Sequence, residues 1–237
     1  MEAIFDLNGL TALVTLTFME IVLGIDNIVF IAILVARVPT EQQNKIRNLG
    51  IFLALFMRLG LLFSISWVMT LKDPLFEIFA RGVSGRDLIL LGGGLFLIGK
   101  STLEIHSKVE GKHEEMQASS SKGAAQWILL QIIILDIVFS LDSVITAVGM
   151  ADNISIMVIA MVISMLVMLL TANSIGQFVD NHPTVKILAL SFLLLIGIML
   201  VAESMGQHIE KGYIYFAIFF SLGIEMLNMR YRKKVTS

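Results

Sequence analysis

Glu20-Ile-Val-Leu-Gly24-Ile-Asp26-Asn27-Ile-Val29 and Asp136-Ile-Val-Phe-Ser140-Leu-Asp142-Ser143-Val-Ile145 lie over one another at a fixed offset of 116 residues, every pair identical or conservative. Apolar matches are cheap in a chain that is 57% hydrophobic, so the weight rests on Glu20 with Asp136 and on Asp26 with Asp142. Both stretches sit inside long apolar runs, where a carboxylate costs roughly 3 kcal/mol on insertion scales and needs a partner or a function. A second echo sets Leu97-Ile-Gly99 over Leu195-Ile-Gly197 at an offset of 98. The plan is three spans, repeated. Three is odd, so the second copy enters the membrane from the opposite side, an inverted repeat typical of transporters.

Working outward, the 237 residues have a mean hydropathy of +0.86 and only 15% charged side chains, too few to build a water-facing shell. Seven runs reach the length that crosses about 30 Å of hydrocarbon as helix. They fall at 10–36, 49–71, 87–104, 125–149, 154–174, 186–204 and 213–229. The expected fold is an all-α polytopic membrane protein of seven transmembrane helices, an inverted three-helix repeat plus one extra helix. All of it forms one transmembrane domain: repeat one over 10–105, a polar cytoplasmic linker over 106–123, repeat two over 124–204 and the extra helix over 213–229. Lys and Arg number eleven in the loops of one side, Arg47 among them, and four on the other, which sets the N-terminus outside and the C-terminus in the cytoplasm. Glu2 and Asp6 stand where a signal peptide would carry Lys or Arg.

No cysteine is present, which excludes thiolate metal sites, disulfides and sulfur nucleophiles. A net charge of -2 speaks against nucleic acid as a partner. The partners expected are membrane lipid and a small cation, with the oligomeric state open.

Acids six residues apart on an unbroken helix stand about 120° and roughly 9 Å apart, off one face. Spans one and four are longer than a straight crossing needs, and each has a weak helix former between its acids, Gly24 and Ser140. A break there would bring the acids together and free carbonyls as ligands. The four carboxylates, the Asn27 amide and the hydroxyls of Ser140 and Ser143 offer oxygen only, a set that suits Mg²⁺, Ca²⁺ or Mn²⁺ and suits Zn²⁺ or Cu⁺ poorly. The ion is cargo, and no cofactor is implied. Burial raises carboxyl pKa values, so proton coupling is a further expectation.

Arg58 in span two reads as a counter-charge for the acidic cluster. Lys100 and Glu104, one turn apart, read as a local pair. Asn173 and Gln131 are expected to line a polar path or to bond between helices. Glu203 and Glu225 lie near span ends, as interfacial groups. Gly92-Gly93-Gly94 reads as close helix packing, His106, His113, Glu114 and Glu115 as a solvated linker, and the fourteen methionines as filling.

With Val38-Pro39, Arg86-Asp87-Leu88 and Arg58 added to the paired acidic motifs, the chain resembles the TerC family of bacterial integral membrane proteins over essentially its whole length. It is most similar to the short members, which lack appended cytosolic domains. That resemblance implies a fold of the LysE-like transporter superfamily in the bacterial inner membrane, and manganese export, with some members linked to tellurite resistance. Carried over by position, the family's metal motif falls on Glu20, Asp26 and Asn27, and on Asp136, Asp142 and Ser143. Two other classes compete. An intramembrane aspartyl protease would carry Gly-x-Gly-Asp where this chain has Leu23-Gly-Ile-Asp26, so no enzyme is expected. An accessory factor, delivering metal or serving a tellurium response without transport of its own, is the stronger alternative.

Overall fold

The computed structural model describes residues 6–78, 81–110, 122–150, 154–207 and 209–236, of which a few side chains inside helices are also left undescribed. The elements are α1 (Leu7–Val35), α2 (Thr40–Phe63), α3 (Ile65–Thr70), β1 (Pro74–Ile78), β2 (Arg81–Ser84), α4 (Gly85–Val109), α5 (Lys122–Met150), α6 (Ile154–Asn181), α7 (Pro183–Ser204) and α8 (Lys211–Thr236). Among the described residues six of these helices are long and apolar enough to cross a membrane, and α5 carries a seventh apolar stretch, Ala125–Leu141. The chain is an all-α polytopic membrane protein.

Its surface confirms which solvent surrounds it. On α2, Arg47, Gly50, Ala54 and Arg58 are buried while Phe52 and Phe56 are exposed, with their rings edge-on at 4.7 Å. A helix in water does the reverse; lipid accepts the rings and leaves the guanidinium groups to seek partners inside.

Two compact units make up the chain, residues 1–86 with 117–177 and residues 87–116 with 178–237. In the first unit α2 packs closely on α5, where a Cβ on Gly50 would come within 2.9 Å of Ile132. Leu16 of α1, Leu62 of α2, Val144 of α5 and Met157 and Met161 of α6 share one buried cluster. In the second unit α4 meets α7 at Gly94 and Gly197, where a Cβ on either would stand within 3 Å of the other's carbonyl oxygen. The triple glycine thus serves helix packing at its third member, while Gly92 meets open space. Pro183 opens α7 at a position where its missing N–H is no loss. Gly206 closes it at φ 81°, with Gln207 N–H donating to Ala202 and Gly206 N–H to Glu203, the left-handed cap that only glycine adopts without strain.

Three expectations need correction. Helices α1 and α5 run through Gly24 and Ser140 without a break. In lipid an opened turn exposes carbonyls and N–H groups that nothing nearby would satisfy. The absent side chain of Gly24 instead admits Met168, and Ser140 donates to Asp136 one turn back. The second span begins at Thr40, not 49, directly after Pro39, and yields to α3 at Ser64. Arg47, counted above as a loop charge, is therefore a helical residue and buried. The stretch between the expected second and third spans, 72–86, contains a hairpin: β1 pairs antiparallel with β2, from Pro74 with Ser84 to Ile78 with Arg81.

Candidate functional site

Five sequence-marked residues meet at one point in the first unit. Glu20 on α1 and Asp136 on α5, the pair matched by the repeat, both accept from Arg58 on α2: Nη1 donates to Glu20 Oε2 at 2.7 Å and Nε to Asp136 Oδ1 at 3.2 Å. Ser140 Oγ donates to Asp136 Oδ2 at 3.3 Å, and Asn27 Nδ2 reaches Asp136 Oδ1 at 3.5 Å, the outer limit of such a bond. All five are buried, Arg58 to 2% exposure, Glu20 to 3% and Asp136 to 5%. A guanidinium is suited to the task because its planar fork serves two carboxylates at once and does not deprotonate.

The helical period explains the convergence. Glu20, Gly24, Asn27 and Ile31, spaced four, three and four apart, form one stripe along α1; Asp136 and Ser140 take the equivalent places on α5. Positions 26 and 142 leave those stripes by about 120° on unbroken helices. The side chains of Asp26, Asp142 and Ser143 lie outside the described residues, as do His113, Glu114 and Glu115. Two described carboxylates and one guanidinium leave a formal charge of -1. Among the described residues no group of three or more His, Asp or Glu stands ready to hold a metal ion.

Beside the ion pair is a cavity of about 10 Å³, room for roughly one water. Asn27, Ala54, Arg58, Asp136, Met165 and Met168 are among its walls. The two methionines went unmarked in the sequence, although Met157, Met161, Met165 and Met168 fall on one face of span five and all four are buried. Their spacing was the available signal.

Asn173 is not part of this cluster. It accepts from Arg47 Nη1 at 2.8 Å, and Arg47 also donates to Asn44, so Asn173 is bonded between helices as one of its two readings required. The guanidinium of Arg47 packs on Gly176, where a Cβ would come within 2.7 Å of Nη2. Gln131 donates to the Trp127 carbonyl within its own helix. In the second unit Lys100 pairs with Glu104 at 3.5 Å, and Glu225 accepts from Thr184 Oγ1 at 2.6 Å.

Lipid-length helices closed around a buried carboxylate–guanidinium centre define a polytopic membrane protein with a charged interior. The profile described as Integral membrane protein TerC family matches residues 5–237, and the chain belongs to that family. It is similar to the UPF0053 inner membrane protein YgdQ of Escherichia coli (strain K12), 54% identical over 233 residues that cover 98% of this chain and 97% of that one. A UPF0053 protein of Haemophilus influenzae is 54% identical over 234 residues, 98% of each chain. The UPF0053 inner membrane protein YoaE of Escherichia coli (strain K12) is 52% identical over 235 residues, 98% of this chain and 45% of that one. No solved structure matches.

Proposed function

We propose that this TerC family protein exports a hard divalent cation, Mn²⁺ foremost, from the cytoplasm across the bacterial inner membrane, through the carboxylate site on α1 and α5. It is a carrier with no enzymatic activity or resident cofactor in this reading. The observation that carries it is Arg58 held between Glu20 and Asp136, repeat-related acids brought to one point by unbroken helices. A permanent cation placed between two buried carboxylates marks a position with affinity for positive charge. When cargo arrives, the guanidinium swings off and the carboxylates turn to the ion. Asn27 and Ser140 add neutral oxygens; Asp26, Asp142 and Ser143 are included by the family motif alone, since their positions leave the stripe that carries Glu20 and Asp136. Manganese rather than calcium or magnesium follows from the family resemblance. Protons released or taken up by the spare carboxylates would supply the coupling.

The test is Mn²⁺ flux into proteoliposomes by native protein and by Asp136→Asn, Asp26→Asn and Asp142→Asn. Native protein is expected to carry Mn²⁺, and each amide to lower flux by more than about ten-fold, the least that even a lost outer-shell partner costs, while the chain stays folded. Native vesicles no more permeable than empty ones would sink the exporter reading and leave the accessory factor in its place. Flux that ignores an imposed pH gradient would remove proton coupling alone.

A further inference from the structure

Asn27, Arg58 and Asp136 line the polar side of the cavity, and aliphatic side chains together with Met165 and Met168 line the rest. Met168 comes from the methionine face of α6 and, like Met165, is buried. Its sulfur faces α1 at Gly24: a Cβ built on that glycine would collide with Sδ, while Cε and Cγ lie farther off at 3.1 and 3.4 Å. Gly24 occupies the α1 stripe one turn from Glu20 on one side and from Asn27 on the other. The chain thus omits a side chain at the point where a thioether meets the row that carries the acid and the amide.

We infer that Met168, with Met165 beside it, gives a thioether ligand to the cation site and sets which divalent ions are accepted, an inference that rests on the transport reading above. Oxygen ligands alone rank hard ions by size and charge. An uncharged, polarisable sulfur contributes little to Ca²⁺ or Mg²⁺, which bind oxygen, and more to transition ions and to Cd²⁺. One sulfur among carboxylates and an amide therefore tilts the site away from the two abundant hard ions without making it a soft site that traps its cargo. Packing alone would be served as well by leucine, which fills nearly the same volume.

The absence of cysteine makes the test clean, since any sulfur bound to a metal ion must come from methionine. Cd²⁺ bound to purified protein is examined by X-ray absorption, in native chain, Met168→Leu and Met165→Leu. In parallel, Cd²⁺ and Ca²⁺ fluxes are compared in proteoliposomes. A sulfur neighbour in the native spectrum that disappears in Met168→Leu, with the Cd²⁺ to Ca²⁺ flux ratio falling about ten-fold or more, since even an outer-shell partner is worth that much, is the expected result. An all-oxygen shell, a sulfur shell indifferent to Met168→Leu, an unchanged flux ratio or no bound Cd²⁺ would overturn the inference. The native spectrum decides even where Met168→Leu does not fold. Flux with an all-oxygen shell overturns the sulfur ligand and leaves transport standing; a sulfur shell without flux of any ion keeps the site and overturns the exporter.

Discussion

Arg58 ties α1, α2 and α5 together through one guanidinium, and its removal would strand two carboxylates in the protein interior. Arg58→Met is expected to lower stability by about 3–5 kcal/mol, because unpaired buried charge costs more than a buried pair contributes. The triple variant Glu20→Gln, Asp136→Asn, Arg58→Met should recover most of that loss. Unfolding in detergent, followed by circular dichroism, measures both, and a triple variant no more stable than the single one would contradict this account. The residues of the centre were legible in the sequence because a charge inside an apolar run stands out against its background. Met165 and Met168 were not, since one more apolar side chain in a chain 57% hydrophobic draws no attention until the face it occupies is known. Arg47 was misplaced for another reason. It follows the helix start by seven residues, and hydropathy marks where lipid begins, not where the helix does.

The number and order of the spans came through, because a bilayer sets a minimum length for each, while the second span was displaced by nine residues at its start. What hydropathy does not encode is how closely two helices approach, and glycine is ambiguous on that point. Gly24 read as a place to break and is a seat for Met168; Gly94 and Gly197 let α4 and α7 touch backbone to backbone; Gly92 faces open space. Valine at these positions should separate the cases. Gly94→Val and Gly197→Val are expected to cost about 1–3 kcal/mol each, by overpacking against main chain that cannot move aside. Gly92→Val, two residues away on the same helix, should be near neutral. Thermal denaturation in detergent checks all three, and equal losses at 92 and 94 would mean that the contact with α7 is not what the glycine serves. The hairpin over 74–84 escaped prediction because its strands are short and its residues, Pro74 and Gly82 among them, carry turn signals as strong as any strand signal.

At the scale of the whole chain, the two compact units do not follow the two copies of the repeat. Each takes members from both: α1 and α2 with α5 and α6 in one, α4 with α7 and α8 in the other. A motif comparison reports which segments are alike and is silent on which ones pack. Orientation rests on the charge near the span ends, and with the buried Arg47 left out the bias is still ten to four. A green fluorescent protein fused after Ser237 should therefore fluoresce in intact cells, whereas an alkaline phosphatase fused there should be inactive; the opposite pattern would reverse the topology. The ion pair also orders synthesis. Arg58 emerges 38 residues after Glu20 and 78 before Asp136. A lone arginine entering the bilayer costs roughly 3 kcal/mol, yet this one has an acid waiting on the preceding helix, so α1 and α2 can leave the translocon as a neutralised hairpin. The later helix α5 then docks on a half-satisfied guanidinium, which gives the newborn chain a charge-guided reason to assemble in the order in which it is made.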